Sequence, residues 1–161
     1  MTQVADEAGS SIGALYSYFP DKKALALALL DVYAAQMEEH WKPVFDQVER
    51  LTAEVFTSRF IDGFVDFVRE HPAFLELQTA PIRLRRSAAA KHAFRASLIH
   101  ALRLRVPGLS VERAELSVGV MLQMVRGMMQ MYSEAPLGDK GVVIAEFKVA
   151  LGLYMETLFK G

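Results

Sequence analysis

Apolar residues recur along most of this chain at intervals of three and four, the spacing that lines one face of an α-helix. The clearest stripe is Phe56, Phe60, Phe64 and Phe67, with Val68 alongside and Asp62, Asp66 and Arg69 off it. It predicts a long helix starting at Val44 or Leu51 and running to Glu70, where His71-Pro72 breaks it. Ahead of it, Ala24 to Leu30 alternates Ala and Leu and mimics a strand. Both are strong helix formers, and the apolar pattern continues through Val32, Tyr33 and Met37. A helix is therefore expected from Lys22, capped by Asp21, to about Trp41, stopped by Pro43. A short helix with Phe74 and Leu77 follows and ends before Pro81. Leu102 to Val106 also alternates, but no other fragment could pair with it, so it is read as the end of a helix stopped by Pro107-Gly108.

Ser110 is placed to cap a helix reaching about Ser133. Its polar side is narrow: Glu112, Glu115, Gly119, Gln123, Arg126 and Gln130. Val118, Met121, Leu122, Met124, Val125, Met128, Met129, Met131 and Tyr132 cover the rest. A final helix over 139–160 carries Val143, Phe147, Leu151, Tyr154 and Leu158 on one face. A helix apolar around most of its girth needs more than one neighbour to cover it. The two form a hairpin with surplus apolar surface, which points to self-association. Glu at Phe147 or Leu151 is expected to break it. The fold class is all-α.

The first residues carry a different pattern. Val4, Ala5 and Ala8 share a helical face, and Gly9 suits the left-handed position just past a helix end. Ser10 or Ser11 offers a hydroxyl to cap a second short helix that ends before Pro20. Leu15 and Phe19 would face a core. Ser11, Ala14, Tyr16, Ser17 and Tyr18 are left mostly outside, although either phenol also fits a core position. Two short helices joined by a glycine turn describe a helix-turn-helix, whose second helix can lie in the DNA major groove.

The run from Ala8-Gly9-Ser10-Ser11 through Leu15-Tyr16-Ser17-Tyr18-Phe19-Pro20-Asp21-Lys22 to Leu25 resembles the signature of the tetracycline-repressor (TetR) family. That signature has a glycine turn, a recognition helix ending in Leu-Tyr-x-x-Phe, and a lysine opening the next helix. The likeness covers about the first thirty residues; the remainder resembles the family in length and helical pattern alone. Ala14 stands where the family usually has Thr, and the family has a whole helix, plus the start of the next, ahead of the point where Met1 begins this chain.

The resemblance implies an N-terminal helix-turn-helix DNA-binding domain over 1–30, incomplete at its start. A helical bundle over 31–161 would dimerise and hold an effector. Thr2 and Gln3 would lie on the first short helix. Tyr16, Tyr18 and Lys22 would contact phosphates, while Ile12, Gly13, Ala14 and Ser17, next to Ser11, would approach base edges. A small apolar or amphipathic effector would sit among Phe60, Phe64, Phe67, Phe74, Met121, Met124 and Met128, oriented by Gln123 and Arg126. The same Phe and Met residues also read as plain core, and Gln123 and Arg126 as solvent-facing. Partners are then operator DNA, the effector and a second copy of the chain. Without the first helix the head would be loose and DNA binding weak, and the rival reading is a ligand-binding and dimerisation module that does not bind DNA.

Composition narrows the field further. The chain has 161 residues, 52% hydrophobic, enough for a well-buried globule. No run approaches the roughly 18 apolar residues of a membrane helix. No signal peptide is readable, and the absence of Cys excludes disulfides and fits a cytoplasmic protein. The net charge of −1 gives the whole chain no electrostatic footprint for nucleic acid. Residues 82–105 contain Arg83, Arg85, Arg86, Lys91, Arg95, Arg103 and Arg105 and no acid, whereas Asp31 to Glu76 holds ten acids against four basic residues. The two segments are expected to be neighbours exchanging surface ion pairs; an anion site is the sharper alternative.

Enzyme chemistry finds little support. Gly9-Ser10-Ser11-Ile12-Gly13 matches the nucleophile-elbow spacing but lacks the strand and sheet that motif needs. The four histidines have no metal-ligand spacing. Glu38 and Glu39 are adjacent and point apart, and no glycine loop cradles phosphate. No catalytic residue, metal or cofactor is expected.

Overall fold

The computed structural model describes residues 6, 9, 11–79 and 88–160; for 78, 79 and 88–91 it gives the backbone only. The described residues form seven α-helices and one 3₁₀ turn, with no strand among them. These are α1 (Ile12–Tyr18), α2 (Lys22–Phe45), the 3₁₀ turn (Val48–Arg50), α3 (Ala53–Glu70), α4 (Pro72–Thr79), α5 (Ala88–Arg105), α6 (Val111–Glu134) and α7 (Lys140–Lys160).

Side-chain caps set most helix starts. Asp21 accepts from the Ala24 amide at 2.7 Å, Thr52 from Val55 at 3.2 Å and Ser110 from Arg113 at 3.2 Å. Two boundaries differ from expectation. Helix α2 runs through Pro43 to Phe45. Proline near a helix end removes one donor, and burial of Trp41 and Phe45 keeps the last turn on the core. Helix α3 begins only at Ala53, because residues 46–52 make the 3₁₀ turn and then the Thr52 cap. Pro72 opens α4, where its missing N–H costs nothing.

Helix α3 lies at the centre, packed on α2, α4 and α7, and α5 bridges α2 and α6. Helices α6 and α7 form a hairpin. The Phe stripe of α3 meets the indole of Trp41, which is fully buried and has ring centroids of Phe64 at 4.4 Å, Phe94 at 5.3 Å and Phe67 at 5.8 Å. A Cβ at Gly63 would come to 3.2 Å from that indole, close enough that the ring or the α2–α3 crossing would have to give by a few tenths of an ångström. A polar clasp joins α3 to α7: Lys148 Nζ lies 2.7 Å from the Asp62 carboxylate and donates to Ser58 Oγ at 3.0 Å.

The expected exchange of ion pairs between the basic and acidic segments falls partly on Arg83, Arg85, Arg86 and the Lys91 side chain, which lie outside the described residues. Helices α2 and α5 are neighbours as expected. Two arginines of α5 turn to backbone instead: Arg95 donates to the Glu115 carbonyl at 2.8 Å and Arg105 to that of Leu51 at 3.2 Å. Arg105 also sits 4.6 Å above the Phe159 ring.

The apolar face anticipated on the last helix is its inner face. Leu151 and Leu158 are buried within the protomer, and Phe147 faces Gly127, where an added Cβ would meet its ring at 3.8 Å. Substituting Leu151 or Phe147 would therefore disturb the protomer's own packing before any contact between copies. The surplus apolar surface lies elsewhere on the hairpin. Leu116, Val120 and Met131 are exposed on α6, and Val142, Val149 and Leu153 on α7.

Candidate functional site

Helix α1 is short, and its two sides differ sharply. Ser11 caps it by accepting from the Ala14 amide at 3.1 Å, and Ser17 Oγ donates back to the Ala14 carbonyl at 2.6 Å. Leu15 is buried, Ala14 and Phe19 are half-buried, and the Phe19 N–H donates to the Leu15 carbonyl at 2.9 Å. Gly9, ahead of the helix, sits at φ +60° and donates to the Asp6 carbonyl at 3.1 Å, the left-handed turn that its sequence position suggested. Asp21 then starts α2 one turn beyond Tyr18, leaving Lys22 exposed at the junction.

This arrangement brings Ser11, Ile12, Gly13, Tyr16, Ser17 and Tyr18 onto the open side of α1, with Lys22 beside its end. Tyr16 is 48% exposed and Tyr18 79%, so neither phenol is a core residue. The side chains presented are small groups, hydroxyls and phenols, together with one lysine. Hydroxyls, phenols and a lysine can donate to phosphate oxygens, and small side chains allow close approach to base edges. Thr2 and Gln3 lie outside the described residues.

In the bundle, Phe60, Phe64, Phe67, Phe74, Met121 and Met128 are all buried in one cluster, and Met124 is half-buried against it. Gln123 and Arg126 are exposed and turn away from it. Among the described residues, three buried polar atoms in the protomer have no hydrogen-bond partner: Trp41 Nε1, Thr57 Oγ1 and Ser117 Oγ. Two clefts open beside the cluster. One, of about 500 Å³, lies between α2 and α3 over Phe67, with His40 and His71 at its sides. The other, of about 750 Å³, lies between α2 and α5 and is lined by Glu38, Glu39, Phe45, Glu49, His100 and Leu104, among others. The acidic run of α2 is visible in the sequence as composition; that it edges a cleft is not, because the opposing small residues lie on a helix remote in sequence.

Titration is perturbed at two groups. Burial raises the Tyr33 phenol above its ordinary value. The Glu112 carboxyl is lowered, first by its hydrogen bond to its own backbone amide and then by Ser110 at the start of α6. Neither group lies on the open side of α1. No group of three or more metal-ligating side chains occurs among the described residues.

Two family descriptions match the chain. Residues 52–154 match "Tetracyclin repressor-like, C-terminal domain", and residues 1–29 match "Bacterial regulatory proteins, tetR family". The chain belongs to the TetR family of transcriptional regulators. No curated protein and no solved structure matches it. Helix α1 lies within the stretch that matches the N-terminal helix-turn-helix domain of the family, and α3 to α7 fall in or overlap the stretch that matches its C-terminal helical domain. The family is one of regulators rather than enzymes. No helix among the described residues is long and apolar enough to cross a membrane.

Proposed function

We propose that this TetR-family regulator binds operator DNA as a homodimer and acts as a repressor released by a small apolar or amphipathic effector. The observation that supports the reading is the exposure of Ile12, Gly13, Tyr16, Ser17 and Tyr18 on α1 and of Lys22 beyond it. In this reading Tyr16, Tyr18 and Lys22 contact phosphates, while Ile12, Gly13, Ser17 and the half-buried Ala14 approach base edges. Ser11 serves as the helix cap and lies within reach of the same groove. Residues 1–30 are the reading head and 31–161 the effector and dimer unit.

Dimerisation draws support from the six exposed apolar residues on the outer face of the α6–α7 hairpin. Apolar side chains exposed in this number on one hairpin point to a surface that another chain covers. The effector unit draws support from the Phe–Met cluster, whose methionines adapt to varied apolar shapes. Trp41 Nε1 lies within that cluster as a buried donor without a hydrogen-bond partner. Gln123 and Arg126, being exposed, are left to the surface. The test is a gel-shift on the DNA upstream of the protein's own gene, comparing wild type with Tyr18→Ala and Ser17→Ala. Loss of phosphate contact should weaken binding to all sequences, whereas loss at Ser17 should relax preference among them. Unchanged binding by both variants would remove α1 from the interface.

A further inference from the structure

If this regulator takes an effector, as proposed, the larger cleft has a chemistry that narrows the effector class. Its floor is apolar: Phe45 and Ala101 are buried beneath it and Leu104 is exposed at its edge. Ala96 and Ser97 supply the α5 wall, and their small side chains leave room for a ligand against α2. The rim is acidic. Glu38, Glu39, Asp46 and Glu49 face only one lysine, Lys42, so the lining carries a net −3 with His100 neutral.

Two of those carboxylates are occupied within the protein. Asp46 pairs with Lys42 at 3.1 Å, and Glu38 accepts from Ser97 Oγ at 3.0 Å. Among the described residues, Glu39 and Glu49 carry no ion pair. Both are exposed, so a neutral ligand would gain nothing from them, an anion would be repelled, and a cation held at the rim would gain attraction to both. A bare metal ion would make no use of the floor, and no three ligating side chains among the described residues converge to hold one. The volume of about 750 Å³ falls within the range of small-molecule sites.

We propose that the cleft between α2 and α5 binds a small amphipathic organic cation, with its apolar body on Phe45 and Leu104 and its charge facing Glu39 and Glu49. The site is coupled by contact to the core. Phe45 packs on Phe94 at 5.8 Å between ring centroids, and Phe94 packs on Trp41 at 5.3 Å. Helix α2 carries both Phe45 and Trp41 and begins directly after α1, so a ligand that moves α2 against α5 also moves the head. That gives cleft occupancy a direct route to the DNA-facing helix.

Tetraphenylphosphonium and tetraphenylborate are probes of one shape and opposite charge, and both can be titrated onto the full chain by calorimetry and thermal shift. The phosphonium should bind, with affinity falling as salt rises, and the borate should bind at least about tenfold more weakly, as a Coulomb term of this size near a protein surface requires. The double variant Glu39→Gln/Glu49→Gln keeps shape and removes charge, and should lose about tenfold in phosphonium affinity. Ala96→Trp, at an exposed position on the wall, should fill the cleft and abolish binding while melting like wild type. Phosphonium binding untouched by both variants would place the ligand elsewhere and overturn the proposal while leaving an effector in play. Borate binding as tight as phosphonium would overturn the charge assignment in the same way. If neither ion shifts the melting temperature, the cleft proposal falls, and the effector reading is left to the Phe–Met cluster alone.

Discussion

Gly63 shows how one missing side chain sets a helix crossing. Its Cα faces the Trp41 ring, and a methyl there would press to 3.2 Å on three ring atoms of a residue locked among Phe60, Phe64, Phe67 and Phe94. With the indole ringed by four phenylalanines, Gly63→Ala should destabilise by about 1–3 kcal/mol, the usual cost of overpacking. Denaturant unfolding followed by Trp41 fluorescence would measure it, and a neutral or stabilising result would mean that the crossing is loose. Tyr33 gives a pH prediction. Burial favours its neutral phenol, so the folded value lies above the unfolded one, near 10. Its contribution is complete below about pH 10 and is lost as pH rises through the folded value. Ultraviolet titration of the phenolate should show one tyrosine ionising later than the exposed ones. The aromatic stripe of α3 is readable because 3.6-residue periodicity survives in sequence; the role of Gly63 is not, since it depends on a partner 22 positions earlier.

At the scale of elements, caps and apolar spacings carry most of the fold. Asp21, Thr52 and Ser110 all accept the amide that starts their helices, and two of these three are legible as caps. Thr52 is hidden because the apolar pattern runs back past it to Val44 and Val48 in the 3₁₀ turn. Pro43 reads as a stop, but the burial of Trp41 and Phe45, a tertiary fact, outweighs one lost backbone bond. The same limit applies to α7, where periodicity finds an apolar face without saying whether it meets the protomer or a second copy. Leu151→Glu buries a charge in a site with no solvent access and should unfold the chain, measurable by loss of helical circular dichroism. Leu153→Glu, at 62% exposed, should keep the fold and yield monomers by light scattering. An intact dimer with glutamate at 153 would move the interface off this face. The clasp between α3 and α7 is partly exposed, so Asp62→Asn should cost no more than about 1 kcal/mol, and less in high salt.

At the scale of the molecule, three parts are proposed to act together: the short helix α1 facing DNA, the long helix leading from it into the bundle, and an outer apolar face that brings two copies together. Helix α1 is legible from the first residues because the glycine turn, the Leu15 and Phe19 spacing and the Ser11 cap are all local. The clefts are not, because they depend on how far α2 stands from α3 and α5. Helix-turn-helix dimers read paired half-sites about 34–36 Å apart, so affinity for a specific site should depend on the dimer as much as on α1. A dimeric DNA reader is tested most directly by a gel-shift titration of the DNA upstream of the protein's own gene, at fixed salt and with excess non-specific competitor, using wild type and Leu153→Glu side by side. Wild type should give a competitor-resistant shifted band that Leu153→Glu, folded but monomeric, fails to form. A wild-type band that competitor removes, or an equal specific band from the monomer, would contradict a dimeric reader.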